Sequence, residues 1–178
     1  MGKALKHFIT VTKHRNAVMK HCFKAGIPFQ GLLHDLSKYS FEEFFNGVKY
    51  FQGNRSPHEA ERETIGYSAA WMHHKGRNKH HFEYWTDYNY KTKQIFAVKM
   101  PVKYVKEMFC DRVAASKIYM KDKYHDGAAL EYFMRGKARR NVDKDTSDLI
   151  ESLLRMLSEK GEKETFAYIR ELKEYPQK

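Results

Sequence analysis

Ten histidines in 178 residues carry most of the chemistry this chain offers, and their placement says more than their number. His7, His14 and His21 recur every seven residues. At 100° per residue that step drifts by only about 20°, so on a helix the three share one face. Val11, Ala17 and Val18 fall beside His14 on the same wheel, which sets His14 on an inward stripe. The dipeptide His34-Asp35 lies within Gly31-Leu-Leu-His-Asp-Leu-Ser-Lys38, two metal-binding groups flanked by apolar residues. Imidazole beside carboxylate suits Fe, Mn, Zn or Ni, and a buried carboxylate needs a cation or hydrogen-bond donors. On a helix the two side chains point about 100° apart and meet one ion only near the helix edge, so further ligands must come from elsewhere. Two more pairs, His73-His74 and His80-His81, stand among Trp71, Phe82, Tyr84 and Trp85. Gly76 and Asn78 interrupt the helical phase between them, which leaves open which member of each pair turns inward. Four clustered imidazoles are costly as core alone. The aromatics read first as core, and second as the walls of a cleft able to stack on a base.

The elements that must position these groups read as helices. Helical patterning covers residues 3–24, closed by Gly26 and Pro28, and a shorter stretch covers 29–38. Ser40 with Glu43 makes a capping box for residues 41–51, and Ser56 with Glu59 makes another for a helix from 57 to 73 or 74. Residues 75–95 read as a long loop with room for a short helix, and a weak strand pattern touches 94–98. Further helices are expected over 101–120, 128–137, 146–159 and 162–174. Asp111 falls mid-helix on the inward stripe between Met108 and Ala115. The expectation is an all-α chain of six to seven helices in a single domain spanning 1–178. Its core lies over about 3–120, and C-terminal helices from 127 to 175 pack on it.

Composition narrows the classes. The hydrophobic share of 42% supports an ordinary buried core, and no internal repeat or low-complexity tract divides the chain. Cys22 and Cys110 have neither close spacing nor a CxxC pattern, so a disulfide framework and a zinc-thiolate site are both unsupported, and a reducing cytoplasm fits. No apolar run approaches a bilayer's thickness, and residues 1–20 lack a signal-peptide core, so no membrane association is expected. Lys plus Arg total 33 against 22 acidic residues, a net +11 that attracts phosphates on a nucleotide or a polynucleotide. Spread as it is along the chain, the same charge also describes a solvated surface. No Walker loop, dinucleotide glycine motif or acyl-transfer nucleophile is present.

The order His14, His34-Asp35, Asp111 resembles the signature of the HD-domain superfamily of metal-dependent phosphohydrolases, and the resemblance covers roughly residues 3–120. Leu32-Leu-His-Asp-Leu-Ser-Lys38 is similar to that superfamily's Leu-Leu-His-Asp-Ile-Gly-Lys segment, with Ser37 where glycine is usual. The segment from Trp71 to Trp85, which carries both histidine pairs, resembles that of a bacterial and phage HD-like family. The resemblance implies that His14, His34, Asp35 and Asp111 ligate a first divalent transition metal. It implies a substrate-phosphate role for Lys38, placing His34, Asp35 and Lys38 in the catalytic set. It also implies that His73, His74 and His81 are the candidates for a second ion, as in the two-metal branch. Such a metal activates a water for attack on phosphorus. Glu42, Glu43 and Glu83 are the carboxylates that could accept a proton, and nothing selects among them. The Gly-Tyr-Pro motif of the cyclic-dinucleotide branch is absent.

Three readings follow. The first is a metal-dependent phosphohydrolase acting on a nucleotide or other small phosphate ester. The second is an HD-type di-iron oxygenase, since the same ligand frame serves oxygen chemistry. The third is a non-enzymatic nucleic-acid-binding module, motivated by the charge and the aromatics.

Overall fold

The computed structural model describes residues 2–177. Its centre is α6 (Val102–Met120), on which Val102, Val105, Met108, Phe109, Cys110, Val113 and Ala114 are all buried. A helix apolar around so much of its circumference has to be covered on several sides. One cover is α1 (Lys3–Lys24), whose inward stripe is Val11, Val18 and Cys22 together with His7, His14 and His21. The seven-residue spacing therefore does place all three histidines inward. Against α1 lies α2 (Pro28–Leu33), entered through Gly26 at φ +74° and started by Pro28. The two helices come close because position 31 has no side chain: a Cβ on Gly31 would sit 2.7 Å from the Cys22 Cβ.

The other covers are C-terminal. Leu149, Ile150, Leu153, Leu154 and Leu157 of α8 (Lys144–Glu171), with Phe166 and Ile169 further along, join the same buried cluster as α6. The broken pattern expected near residue 160 is there: Gly161 has φ 75° and ψ 176°, non-helical within α8. Ala129 and Phe133 of α7 (Ala128–Gly136) complete the cluster. The C-terminal helices are thus part of the core and not an addition to it.

On the opposite side of α1, α3 (Phe41–Tyr50) packs against α4 (Pro57–Ile65) and α5 (Ala69–Lys75). Ser40 caps α3 as expected, accepting from the Glu43 amide, whereas Ser56 makes no side-chain cap. The single helix expected from 57 to 73 or 74 is two helices. Gly66 at φ 84° ends α4, and Ser68 restarts the chain by accepting from the Trp71 amide. The expected loop over 75–95 holds a 3-10 turn at Phe82–Tyr84 and an exposed antiparallel hairpin of β1 (Thr86–Asn89) with β2 (Gln94–Ala97). The chain is all-α apart from this hairpin. Among the described residues it has eight α-helices, against the six to seven expected: the break at Gly66 divides one expected stretch in two, and α8 joins the last two. No helix among them is long and apolar enough to cross a membrane.

Candidate metal centre

The second helix expected over 29–38 stops where the chemistry begins. Leu33 ends α2, His34 has ψ 127°, and Asp35 takes the left-handed conformation at φ 53° before a 3-10 turn at Leu36–Tyr39. Asp is one of the few side chains that tolerate this region, and non-glycine residues held there cluster at functional sites. The break replaces the 100° divergence of helical neighbours, so His34 Nε2 and Asp35 Oδ2 lie 3.2 Å apart. Both residues are 1% exposed.

Around them α1, α6 and α5 deliver the remaining groups. His14 Nε2 of α1 lies 2.9 Å from Asp111 Oδ1 of α6 and 3.9 Å from Asp35 Oδ2, while His34 Nε2 lies 3.7 Å from Asp111 Oδ1. All four ligating atoms fall within 4.8 Å of one another. Ligands about 2.1 Å from one ion are about 3 Å apart when adjacent and about 4.2 Å when opposed, so the separations of 2.9, 3.2, 3.7 and 3.9 Å fit a shared cation. The four residues expected as first-metal ligands are therefore brought together. A second group, His74, His80 and His81, meets Asp35 from the other side and satisfies the same 4.8 Å limit. His74 Nε2 is 3.3 Å and His80 Nε2 3.5 Å from Asp35 Oδ1. Asp35 thus presents Oδ2 to one group and Oδ1 to the other. His73, expected as a possible ligand, joins neither group: about 100° round α5 from His74, its Nε2 turns to Glu42 and its Nδ1 to Glu43.

Two carboxylates aim the imidazoles. Glu107 Oε1 accepts from His34 Nδ1 at 2.9 Å and lies 3.1 Å from His80 Nδ1. Glu43 accepts from His73 Nδ1 at 2.6 Å with Oε1 and from His74 Nδ1 at 2.7 Å with Oε2. With Nδ1 donating, the neutral ring has its lone pair on Nε2, directed at Asp35, and this is how carboxylates behind histidines orient metal ligands. Ser37, where the resemblance expects glycine, accepts from Asn78 Nδ2 at 2.8 Å and lies 3.3 Å from His74 Nδ1. Glu43, a conceivable proton acceptor by sequence, is thereby committed to holding histidines.

The electrostatics suit a cation. Burial alone would raise the Asp35 carboxyl, but the charges of His34 and Lys38 override it and hold the group well below the usual carboxylate range. Asp111 is held down in the same way by the close approach of His14 and His34. Burial keeps His14 and His81 below the ordinary imidazole value, hence neutral. His34 is raised, because Asp35, Asp111 and Glu107 outweigh its burial. The buried atoms His14 Nε2, His34 Nε2, His80 Nε2 and both Asp35 oxygens make no well-directed hydrogen bond. His74 Nε2 and His81 Nε2 face each other at 2.9 Å, a separation natural for two ligands of one ion. Imidazole nitrogens gathered this closely around one carboxylate, whose Oδ1 makes no hydrogen bond, fit metal ions as a shared partner. Lys38 Nζ reaches Asp35 Oδ2 at 2.6 Å, and the centre opens onto a cavity of about 570 Å³ lined by Lys38, Asp111 and His81 among others.

The site residues that sequence reasoning missed are His80, left undecided within its pair, and Glu107. Glu107 stands four positions before Asp111 on α6, a spacing that puts both on one face and could have revealed it. The model of a family of unknown function (DUF5662) matches residues 3–156. No curated protein and no solved structure matches the chain.

Proposed function

The chain belongs to this family of unknown function, and we propose that it is a divalent-metal-dependent phosphohydrolase of the HD-domain type, acting on a nucleotide or another small phosphate ester. The observation that carries this reading is Asp35, which offers one oxygen to each of two ligand groups with Lys38 beside it at the edge of the cavity. His14, His34, Asp35 and Asp111 would hold one ion, and Asp35, His74, His80 and His81 a second. Ions of Fe, Mn, Zn or Ni held there supply Lewis acidity towards phosphoryl oxygens and a water of lowered pKa.

The protein's own part is positioning. Glu107 and Glu43 keep the imidazoles in the ligating tautomer. Lys38 is fixed by Asp35, and that carboxylate raises its ammonium pKa in spite of burial, so the side chain stays cationic and able to hold a phosphate oxygen at the mouth of the centre. Residues of α3, α5 and α6 line the cavity beside these charges, and partial removal from water strengthens each of them. Cys22 and Cys110, both buried and unpaired, suit the reducing cytoplasm proposed as its setting.

The test is a phosphoester screen with Mn, Co, Ni or Mg added. Hydrolysis of at least one substrate far above the His34→Ala variant is expected, and no hydrolysis above that control would contradict the reading. The second ligand group also favours an HD-type di-iron oxygenase. That alternative requires iron at about two per chain after anaerobic, iron-supplemented purification. Absence of bound iron would remove it.

A further inference from the structure

Beyond Asp111 the same cavity becomes strongly basic. Arg112, next on α6, turns towards α7 and lays its guanidinium 5.4 Å from the centre of the Phe133 ring. Arg140 lies over that ring as well, at 5.0 Å, and donates from Nη1 to the Phe133 carbonyl at 2.7 Å. Gly136 makes room for it, since a Cβ there would come within 2.7 Å of Arg140 Nη2. Arg112 is partly buried. Its Nε is buried without a hydrogen-bond partner, and its Nη2 reaches only the Met108 thioether, at 3.8 Å. Among the described residues neither guanidinium has a carboxylate within ion-pair distance. Glu83 acts on both from farther away, and its buried Oε2 makes no hydrogen bond. Arg112, Arg140 and Glu83 all line the cavity that holds Asp111 and Lys38.

Two guanidiniums over one ring repel each other. The ring face attracts each of them but leaves their edge N–H donors unused. A pair of planar forks on the wall of a cavity, neither of them bound to a carboxylate, is the chemistry that binds phosphate oxygens. We infer that Arg112 and Arg140 form a second anion subsite, which takes a further phosphate group of the substrate when its first phosphate is at the metal centre. The substrate class is then a diphosphate or longer polyphosphate ester, not a monophosphate. The volume of about 570 Å³ is within the range of pockets that enclose such ligands. This rests on the phosphohydrolase reading for what happens to the substrate, but not for its binding.

The test is calorimetric titration of inorganic pyrophosphate, and separately of inorganic phosphate, into the full chain, both metal-replete and chelator-treated. Wild type should bind pyrophosphate more tightly than phosphate even without metal. Arg112→Gln and Arg140→Gln should each weaken pyrophosphate by roughly tenfold or more, as expected for a lost charge-assisted hydrogen bond. Arg112→Lys should lose less. Arg140→Gln alters a more exposed position and Arg112→Lys keeps the charge, so the assignment stays testable if Arg112→Gln fails to fold. Affinity unchanged in both Arg140→Gln and Arg112→Lys, or lost only in Lys38→Gln, would place the anion elsewhere and overturn the subsite. Failure of hydrolysis with this binding pattern intact would instead sink the phosphohydrolase reading alone.

Discussion

Glu107 holds His34 and His80 with one oxygen, and so ties a member of each ligand group to a single carboxylate on α6. Glu107→Gln keeps the shape but removes the charge that favours an Nδ1–H on two rings at once. Metal affinity should fall by about 10- to 100-fold while the fold is retained, as read by competition against a chromogenic chelator. Affinity within twofold of wild type would mean that Glu107 does not orient the ligands. The raised pKa of His34 adds a direction: in the metal-free protein its Nε2 holds a proton that a metal must displace, so affinity should decline as pH falls. At this scale the sequence was informative where apolar neighbours framed a polar group, as with His14, His34-Asp35 and Asp111. It was silent on His80 against His81, because the turns between residues 76 and 81 set those directions and no periodicity survives there. His73 was no better marked than His74, because only the fold shows that it turns to Glu42 and Glu43.

The break after α2 depends on how closely α2 approaches α1, and Gly31 permits that approach. Gly31→Ala should force the two helices apart, cost about 1–3 kcal/mol as an overpacked contact, and weaken metal binding through displacement of His34-Asp35. Denaturant unfolding and metal titration on the same sample would show both effects, and neither would appear if the contact had room to give. His21 contributes at the same level, packed on Phe166 and 3.3 Å from the Cys110 carbonyl. Burial lowers its pKa to about 4, below the ordinary value of about 6.5. The unfolded chain therefore binds more protons between these values, so stability is full above about pH 6.5, falls as pH drops, and levels off near pH 4, for a total of roughly 3 kcal/mol. His21→Leu should remove that part of the slope in melts from pH 7 to 4. Helix existence was legible here from stripes and stops such as Gly26 and Pro28. The extended His34 and left-handed Asp35 were not, because tertiary contacts impose them on residues whose local pattern continues a helix.

At the level of the whole molecule, α1, α6 and α5 converge on Asp35 and bring several imidazoles and carboxylates together inside the fold. Bound metal should therefore stabilise the native state, by about 2.7 kcal/mol when the metal is at a hundred times its dissociation constant. Chelation should lower the melting temperature by several degrees, and a melting temperature indifferent to chelator would argue against a resident ion. The basic balance was legible in the composition, but its concentration around Phe133 was not, because Arg112 and Arg140 are far apart in the chain and meet only through α7. The most direct test is elemental analysis of untagged protein beside four variants. We predict nearly two transition-metal ions per chain in wild type. One should remain in His14→Ala and one in His80→Ala, and none in Asp35→Ala or in His34→Ala where the frame collapses. Wild-type protein that stays metal-free after supplementation, or metal retained in Asp35→Ala, would contradict the account.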